Sequence, residues 1–310
     1  MTRLSIIIVT RNRSNALDGL LRSLAIQAKK PYEIIIVDND SSDGTKEVVR
    51  KYSDIPKTSL LNKNLLKTNL SNTNKPNMVY VLEKKIGIPY ARNTGLMKSR
   101  GELIVFIDDD CFAPKDWKEN ILKIQKDNDA VYGMILPSGN NLIAGFLQSL
   151  ENYPDKKMNG YKSSMINNAS FRSSAIKGLR FNTKLKIGED VAFNNDIHLR
   201  KLKTFYDPQI KIRHNYRTSF FGMIKQQFCF GMHRPLLMRY ADDYPFDKSN
   251  MLIHILKRIA TPFFDPWLRL KYALDHKRKL ALLYMPLGYF QQLAYWIGFL
   301  SGAIKNIFQK

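Results

Sequence analysis

Three consecutive carboxylates, Asp108, Asp109 and Asp110, close the apolar run "ELIVFI", and another acid, Asp38, closes "EIIIV". Like charges on neighbouring residues repel unless a cation, hydrogen-bond donors or water compensates them. Something positive is therefore expected at the triplet. Side chains alternate in an extended segment, so Asp108 and Asp110 are expected on one side and Asp109 on the other. Two hard oxygen ligands on one side suit magnesium or manganese, which keep waters and take further ligands from substrate phosphates. An Asp triplet also fits a solvated turn or a helix cap, so the residues alone leave both readings open.

The elements around these acids decide where they can face. "LSIIIV" (4–9) and "EIIIVD" (33–38) are short β-branched runs of the kind found in buried parallel strands. Between them Leu17, Leu20, Leu21, Leu24 and Ala28 recur at helical spacing behind a possible cap at Ser14 or Asn15. "MVYVLEK" and "ELIVFID" give two further strands, with "IPYARNTGLMKS" as the helix between them. Strands alternating with helices of this length predict a doubly wound α/β layer. In such a sheet ligands bind outside the carboxyl ends of the strands, which is where Asp38 and the triplet lie. Residues 54–77, rich in Asn, Lys, Thr and Ser, read as a flexible surface insertion.

"SIIIVTRNRS" with "IIIVDNDSSDGT", then "GIPYARNTGLMKSRGELIVFIDDDC", then "IGEDVAFNNDIHLRK" and "IKIRH" follow in order the motif series of the family-2 glycosyltransferases. The sequence resembles that family from Leu4 to about Asn215, and an ordered series is far more specific than one motif. The resemblance implies a GT-A fold, Rossmann-like with a mostly parallel sheet, and an inverting enzyme that uses a nucleotide-sugar donor. It implies that Thr10 and Asp38 contact the base and ribose, with Arg11 in a place where the family often has Tyr. Arg11 could stack on the base as a planar cation. Asn39 stands where many members have a second Asp, which leaves the nucleobase open. Arg92 would reach the donor or hold the carboxylates, and Asn93 and Gly95 would serve packing. Asp108 would touch the ribose or the metal shell, Asp109 would be auxiliary, and Asp110 would coordinate magnesium or manganese with His214 as a further ligand. Asp190 would be the base that takes the acceptor proton, with Glu189 as its neighbour and fallback; acids also favour helix N-termini for ordinary reasons. Arg213 and Arg217 could neutralise a departing diphosphate or face lipid phosphates, and His198 reads as ordinary helix surface.

Composition narrows the class. With 310 residues and 44% apolar content the chain can form one large domain and an appendage. Its two cysteines, Cys111 and Cys229, are too few for a disulfide framework, which favours a reducing, cytoplasmic compartment. "MTRLSIIIVTRNRS" reads as a first strand rather than a signal peptide. The net charge of +22 invites an anionic partner, but neither a paired Cys/His zinc pattern nor a sheet of ordered aromatics accompanies it, so nucleic acid is not the expected one. A nucleotidyltransferase would need a Gly-rich phosphate loop after the first strand, and "VTRNRSNA" is found instead.

From about Ser219 the strand–helix alternation stops, so the expected domains are a catalytic 1–218 and a helical 219–310. Basic "HKRK" (276–279) precedes the uncharged run 280–304, long enough to span a bilayer, although Pro286, Gln291 and Gln292 argue against an easy span. Basic flanks and boundary aromatics favour helices lying in the interface of an anionic membrane. The resulting expectation is a metal-dependent transferase at the inner face of the cell membrane, extending a lipid-linked glycan in cell-surface polysaccharide synthesis. The alternative is a degenerate transferase scaffold acting as a peripheral membrane or nucleic-acid-binding protein.

Overall fold

A computed structural model describes residues 2–27, 33–53, 66–67, 77–151, 156–161, 165–240, 264–278 and 280–308. Its strands are β1 Leu4–Thr10, β2 Glu33–Asp38, β3 Leu66–Lys67, β4 Asn77–Leu82, β5 Leu103–Ile107, β6 Cys111–Phe112, β7 Ala130–Pro137, β8 Met158–Asn159, β9 Asn168–Arg172 and β10 Thr204–His214. Its helices are α1 Ser14–Ala25, α2 Thr45–Tyr52, α3 Ile88–Lys98, α4 Trp117–Ile124, α5 Leu142–Ser149, α6 Glu189–Leu199, α7 Phe220–Tyr240, α8 at 264–275 and α9 Tyr284–Phe308. The chain divides into two compact units. Met1–Leu136, Tyr153–Lys184 and Asp196–His214 form the first; Pro137–Asn152, Leu185–Asn195 and Asn215–Lys310 form the second.

The first unit is built on one sheet in the order β3-β4-β2-β1-β5-β9-β7-β10-β6, with β8 pairing β10. β4, β2, β1 and β5 run parallel, and their Ile and Val side chains are buried along the length of each strand, as in parallel sheets covered on both faces. The mostly parallel expectation ends there. β9 runs antiparallel to β5 and to β7, and β6 antiparallel to β10, so the whole is a mixed sheet. Within this half β6 and β8 are two residues each, too short to carry a pattern. Of the expected insertion at 54–77 only β3 and Asn77 are described, and β3 pairs antiparallel with β4; the rest lies outside the described residues.

α1 buries Leu17, Leu20, Leu21 and Leu24 on one face, as the spacing predicts. α3 packs on β1 and β2, where Gly95 leaves no room for a larger residue because a Cβ would collide with Ile7. Asn93 on the same helix donates to the carbonyl of Phe181 and accepts from its N–H, each at 2.8 Å, so it ties α3 to the segment before α6.

The second unit is helical. Ile143, Phe146 and Leu147 of α5 pack with Met223 of α7, Ala273 of α8, and Tyr284 and Leu287 of α9. α7 and α9 meet backbone to backbone: a Cβ at Gly231, Gly298 or Gly302 would strike the carbonyls of Tyr295, Phe228 or Met232. The glutamines of α9 turn inward, Gln291 donating to Gln227 at 2.9 Å and Gln292 to Asp265 at 3.2 Å. No described helix is long and apolar enough to cross a membrane.

Candidate active site

The parallel strands bring their last residues together. Thr10 lies opposite Asp38 in register, one step from the turn that carries the acid triplet. Asp38 is fully buried; its Oδ1 accepts the N–H of Ser41 at 2.8 Å and its Oδ2 accepts the hydroxyl of Tyr80 at 2.5 Å. Burial first, and then Asp38, push the Tyr80 hydroxyl upward, so it remains a donor at neutral pH. Asn39 is also buried. Its amide donates to the carbonyls of Glu83 at 3.0 Å and Lys85 at 2.9 Å and accepts from the N–H of Gly87 at 2.7 Å. A carboxylate has no donors for those two carbonyls, which gives a physical reason for Asn at this position. Arg11 is exposed just beyond β1.

The triplet is not extended. β5 ends at Ile107, and the N–H of Cys111 closes a turn on the carbonyl of Asp108 at 3.1 Å. Alternation therefore does not apply, and each acid meets its own partners. Asp108, 39% exposed, takes Nη2 of Arg92 at 3.3 Å; Arg92 is nearly buried and lies over the ring of Phe181. Asp109 is the most deeply buried of the three and accepts the Thr10 hydroxyl at 2.8 Å and Arg13 Nη1 at 3.0 Å. Burial pushes its carboxyl up to about 6, against the opposing pull of Arg13 and the Thr10 hydrogen bond. Asp110 takes the same Nη1 on its Oδ2 at 2.8 Å, and its Oδ1 faces Nε2 of His214 at 3.1 Å. Burial alone would raise Asp110, but His214 and Arg13 together hold it below the usual carboxylate range. The missing positive charge is thus supplied from within the chain by Arg92 and Arg13, with the His214 imidazole beside Asp110.

His214 arrives by register. β6 pairs with the end of β10 so that His214 stands opposite Cys111 and Arg213 opposite Phe112, which sets the imidazole beside Asp110. Asp110 Oδ1 and His214 Nε2 lie 3.1 Å apart, and that oxygen is sealed from solvent. Adjacent ligands of an octahedral ion with bonds of about 2.0–2.1 Å lie about 3 Å apart. The pair therefore has the bite of two metal ligands. Cys111 completes a cluster whose ligand atoms all lie within 4.8 Å of one another, but burial pushes its thiol well up, so the effective donors are the carboxylate and the imidazole. Asp108, also expected at the metal, pairs with Arg92 through Oδ1.

Glu189 and Asp190 open α6, in the second unit. Gly188 before them has φ 89°, a left-handed conformation that suits glycine, and it packs under Leu237, where a Cβ would fall 2.9 Å from Cδ2. Asp190 accepts the N–H of Val191 at 2.8 Å and is partly exposed, whereas Glu189 is buried.

Arg13 and Tyr80 escape a reading of the sequence. Arg13 is the residue before α1, and only the reversal of the chain after β1 carries it to the triplet, while Tyr80 looks like one more apolar position of β4. The signal available for Arg13 was the demand of the acids themselves for a cation close to a strand end.

Comparison with known proteins yields a consistent set of similarities. A model described as glycosyl transferase family 2 matches residues 5–183. Glycosyltransferase AglE of Haloferax volcanii is 31% identical over 118 residues, covering 37% of this chain and 33% of that protein. A Methanococcus voltae dolichyl N-acetyl-alpha-D-glucosaminyl phosphate 3-beta-D-2,3-diacetamido-2,3-dideoxy-beta-D-glucuronosyltransferase is 24% identical over 279 residues, covering 83% of this chain and 82% of that protein. The chain spans only 33%, 41% and 29% of the length of AglE, of YwdF from Bacillus subtilis and of GlyA from Streptococcus pneumoniae. Among solved structures, the mannosyltransferase PcManGT from Pyrobaculum calidifontis, in complex with GDP-Man and Mn2+, superposes with a TM-score of 0.58 at 17% identity, covering 100% of this chain and 88% of that one. S. aureus TarS 1-349 in complex with UDP-GlcNAc gives 0.52 at 17% identity, covering 98% and 92%. At these identities the structural likeness is one of fold.

Proposed function

The chain belongs to glycosyl transferase family 2, and on that premise we propose that it moves a sugar from a nucleotide diphosphate to a lipid-linked or glycan acceptor, inverting the anomeric centre. The observation that carries the reading is the pairing of Asp110 Oδ1 with His214 Nε2 at 3.1 Å, beyond the carboxyl ends of the parallel strands. These two residues would hold a magnesium or manganese ion. When bound, that ion supplies Lewis-acid stabilisation of the charge that grows on the departing diphosphate.

The residues of the chain do the rest. Asp38, fixed by Tyr80 and Ser41, and the Thr10–Asp109 pair form the floor on which the nucleoside rests, and exposed Arg11 stacks on its base. Arg92 keeps Asp108 oriented at the ribose side. Asp190 takes the proton from the acceptor hydroxyl as that oxygen forms its bond to the anomeric carbon and the bond to the diphosphate breaks on the opposite face. Its place in the first turn of α6, where it accepts the Val191 N–H, suits a carboxylate. Glu189, buried next to it in sequence, is the fallback for the role of base.

A lipid-linked acceptor is supported by the dolichyl-linked substrate in the name of the Methanococcus voltae relative. It is also supported by the C-terminal helices, where Leu293, Ile297, Leu300 and Ile304 of α9 and Trp267 and Leu268 of α8 are exposed apolar residues with Lys271, Lys277 and Lys305 exposed nearby. Apolar faces bordered by lysines suit the interface of an anionic bilayer, and we place the enzyme at the cytoplasmic side of such a membrane, in cell-surface polysaccharide synthesis.

The test is a panel of UDP- and GDP-sugars with Mn2+ or Mg2+, read as transfer to polyprenyl-diphosphate-linked sugars and as donor hydrolysis. Turnover of one donor, lost on chelation of the metal, is expected. If no donor is bound or consumed, the transferase reading fails.

A further inference from the structure

Arg13 stands apart from the other cations of the acid cluster. Arg92 is 8% exposed and committed to Asp108 and the Phe181 ring, whereas Arg13 keeps 52% of its side chain in solvent. Its contacts with Asp109 at 3.0 Å and Asp110 at 2.8 Å both run through a single nitrogen, Nη1. A guanidinium is a planar fork with five N–H donors, so one nitrogen engaged leaves the edge formed by Nε and Nη2 for a further anion. On Asp110 the division of labour is explicit: Oδ2 belongs to Arg13 and Oδ1 to the His214 side. Arg13 therefore does not block the metal-facing oxygen, yet its charge lies within one carboxylate of it.

We propose that Arg13 is a placeholder cation that becomes a ligand of the donor: it neutralises Asp109 and Asp110 before a metal arrives, and its free edge then binds the diphosphate of the nucleotide. This rests on the donor-site reading above. A guanidinium one carboxylate away repels an incoming dication, and the repulsion is offset only when a diphosphate brings anionic oxygens to both cations. The fork suits phosphate oxygens two at a time, which a lysine cannot imitate.

The consequence is a pair of effects with opposite signs. In Arg13→Gln, Mn2+ alone should bind more tightly, on the order of fivefold, because the repulsion is gone. UDP or GDP at saturating Mn2+ should bind more weakly, by about tenfold or more, because charge-assisted hydrogen bonds to phosphate are lost. Arg13→Lys should hold the Mn2+ affinity within about twofold of the wild type and recover only part of the nucleotide affinity. Calorimetric titration of the full chain with MnCl2, then with UDP and with GDP in Mn2+, reads both arms. A merely structural Arg13 would weaken metal and nucleotide together, and that result, or a nucleotide affinity unchanged in Arg13→Gln, overturns the proposal. If the wild type binds neither UDP nor GDP, the donor-site reading falls and the diphosphate half of the proposal with it. A manganese affinity that does not rise in Arg13→Gln overturns the placeholder half independently.

Discussion

Asn39→Asp introduces the residue that many relatives carry, and here it is expected to damage the fold. The Asn39 amide holds the loop before α3 through two donated hydrogen bonds and one accepted bond, in a position 3% exposed. Aspartate keeps the acceptor and loses both donors. The carbonyls of Glu83 and Lys85 would then face a carboxylate with no water to intervene. Each buried partner left unsatisfied costs about 1–3 kcal/mol, and the buried negative charge adds to that, so a loss of roughly 3–5 kcal/mol is expected. At about 2–4 °C per kcal/mol for a large domain, the midpoint of thermal unfolding should fall by roughly 6–20 °C. The loss should shrink in mild acid. A proton on the new carboxyl restores one donor, so the folded state binds it more tightly than the unfolded state and gains stability as pH falls. Urea denaturation of wild type and variant at several pH values measures both effects. A variant within about 1 kcal/mol of the wild type at pH 7 would refute the assignment of Asn39 as a loop clamp.

Asp190→Asn should abolish transfer while leaving calorimetric binding of the nucleotide nearly unchanged; retention of most activity would remove Asp190 as the base. Asp110→Asn should weaken Mn2+ binding by about a hundredfold or more while shifting the unfolding midpoint by only a degree or two, since its pair with half-exposed Arg13 contributes about 0–1 kcal/mol. Asp18, which bridges α1 and α2, is drawn down to about 2 by hydrogen bonds from Lys51 and then Arg22. A folded value below the unfolded one contributes stability above about pH 4 that is lost as pH falls toward 2, so the denaturation midpoints of wild type and Asp18→Asn should differ at pH 6 and converge near pH 2. Truncating the C-terminus is a poor test of membrane contact because Tyr284 and Leu287 lie in the core of the second unit. The double change Leu293→Glu with Leu300→Glu, both on the exposed face of α9, should instead abolish co-sedimentation with vesicles of one part phosphatidylglycerol to two parts phosphatidylcholine.

The parallel half of the sheet was legible because strands buried on both faces must be almost wholly apolar, and β1, β2 and β5 are. The antiparallel half was not, since β6 and β8 are too short to carry a period and β9 pairs with strands distant in sequence. In the site, the acids could be read from their types and their place at strand ends. Their order of importance could not. Alternation would have set Asp109 aside, but the strand stops at Ile107 and the turn that follows directs Asp109 inward to Thr10 and Arg13. His214 could be named from its motif; what places it beside Asp110 is a two-residue pairing with no pattern of its own.

That pairing of Cys111–Phe112 with Arg213–His214 also limits how the chain can change length over evolutionary time. A strand slipped by one residue turns every side chain to the other face. One residue gained in the last steps of β10 would present Arg213 to Asp110 in place of the imidazole, trading a site for a cation against a cation built in, and one residue lost would present Asn215. Insertions and deletions should therefore be purged from Asp108–Phe112 and from the end of β10 more strictly than substitutions are, even though most of the atoms involved are backbone.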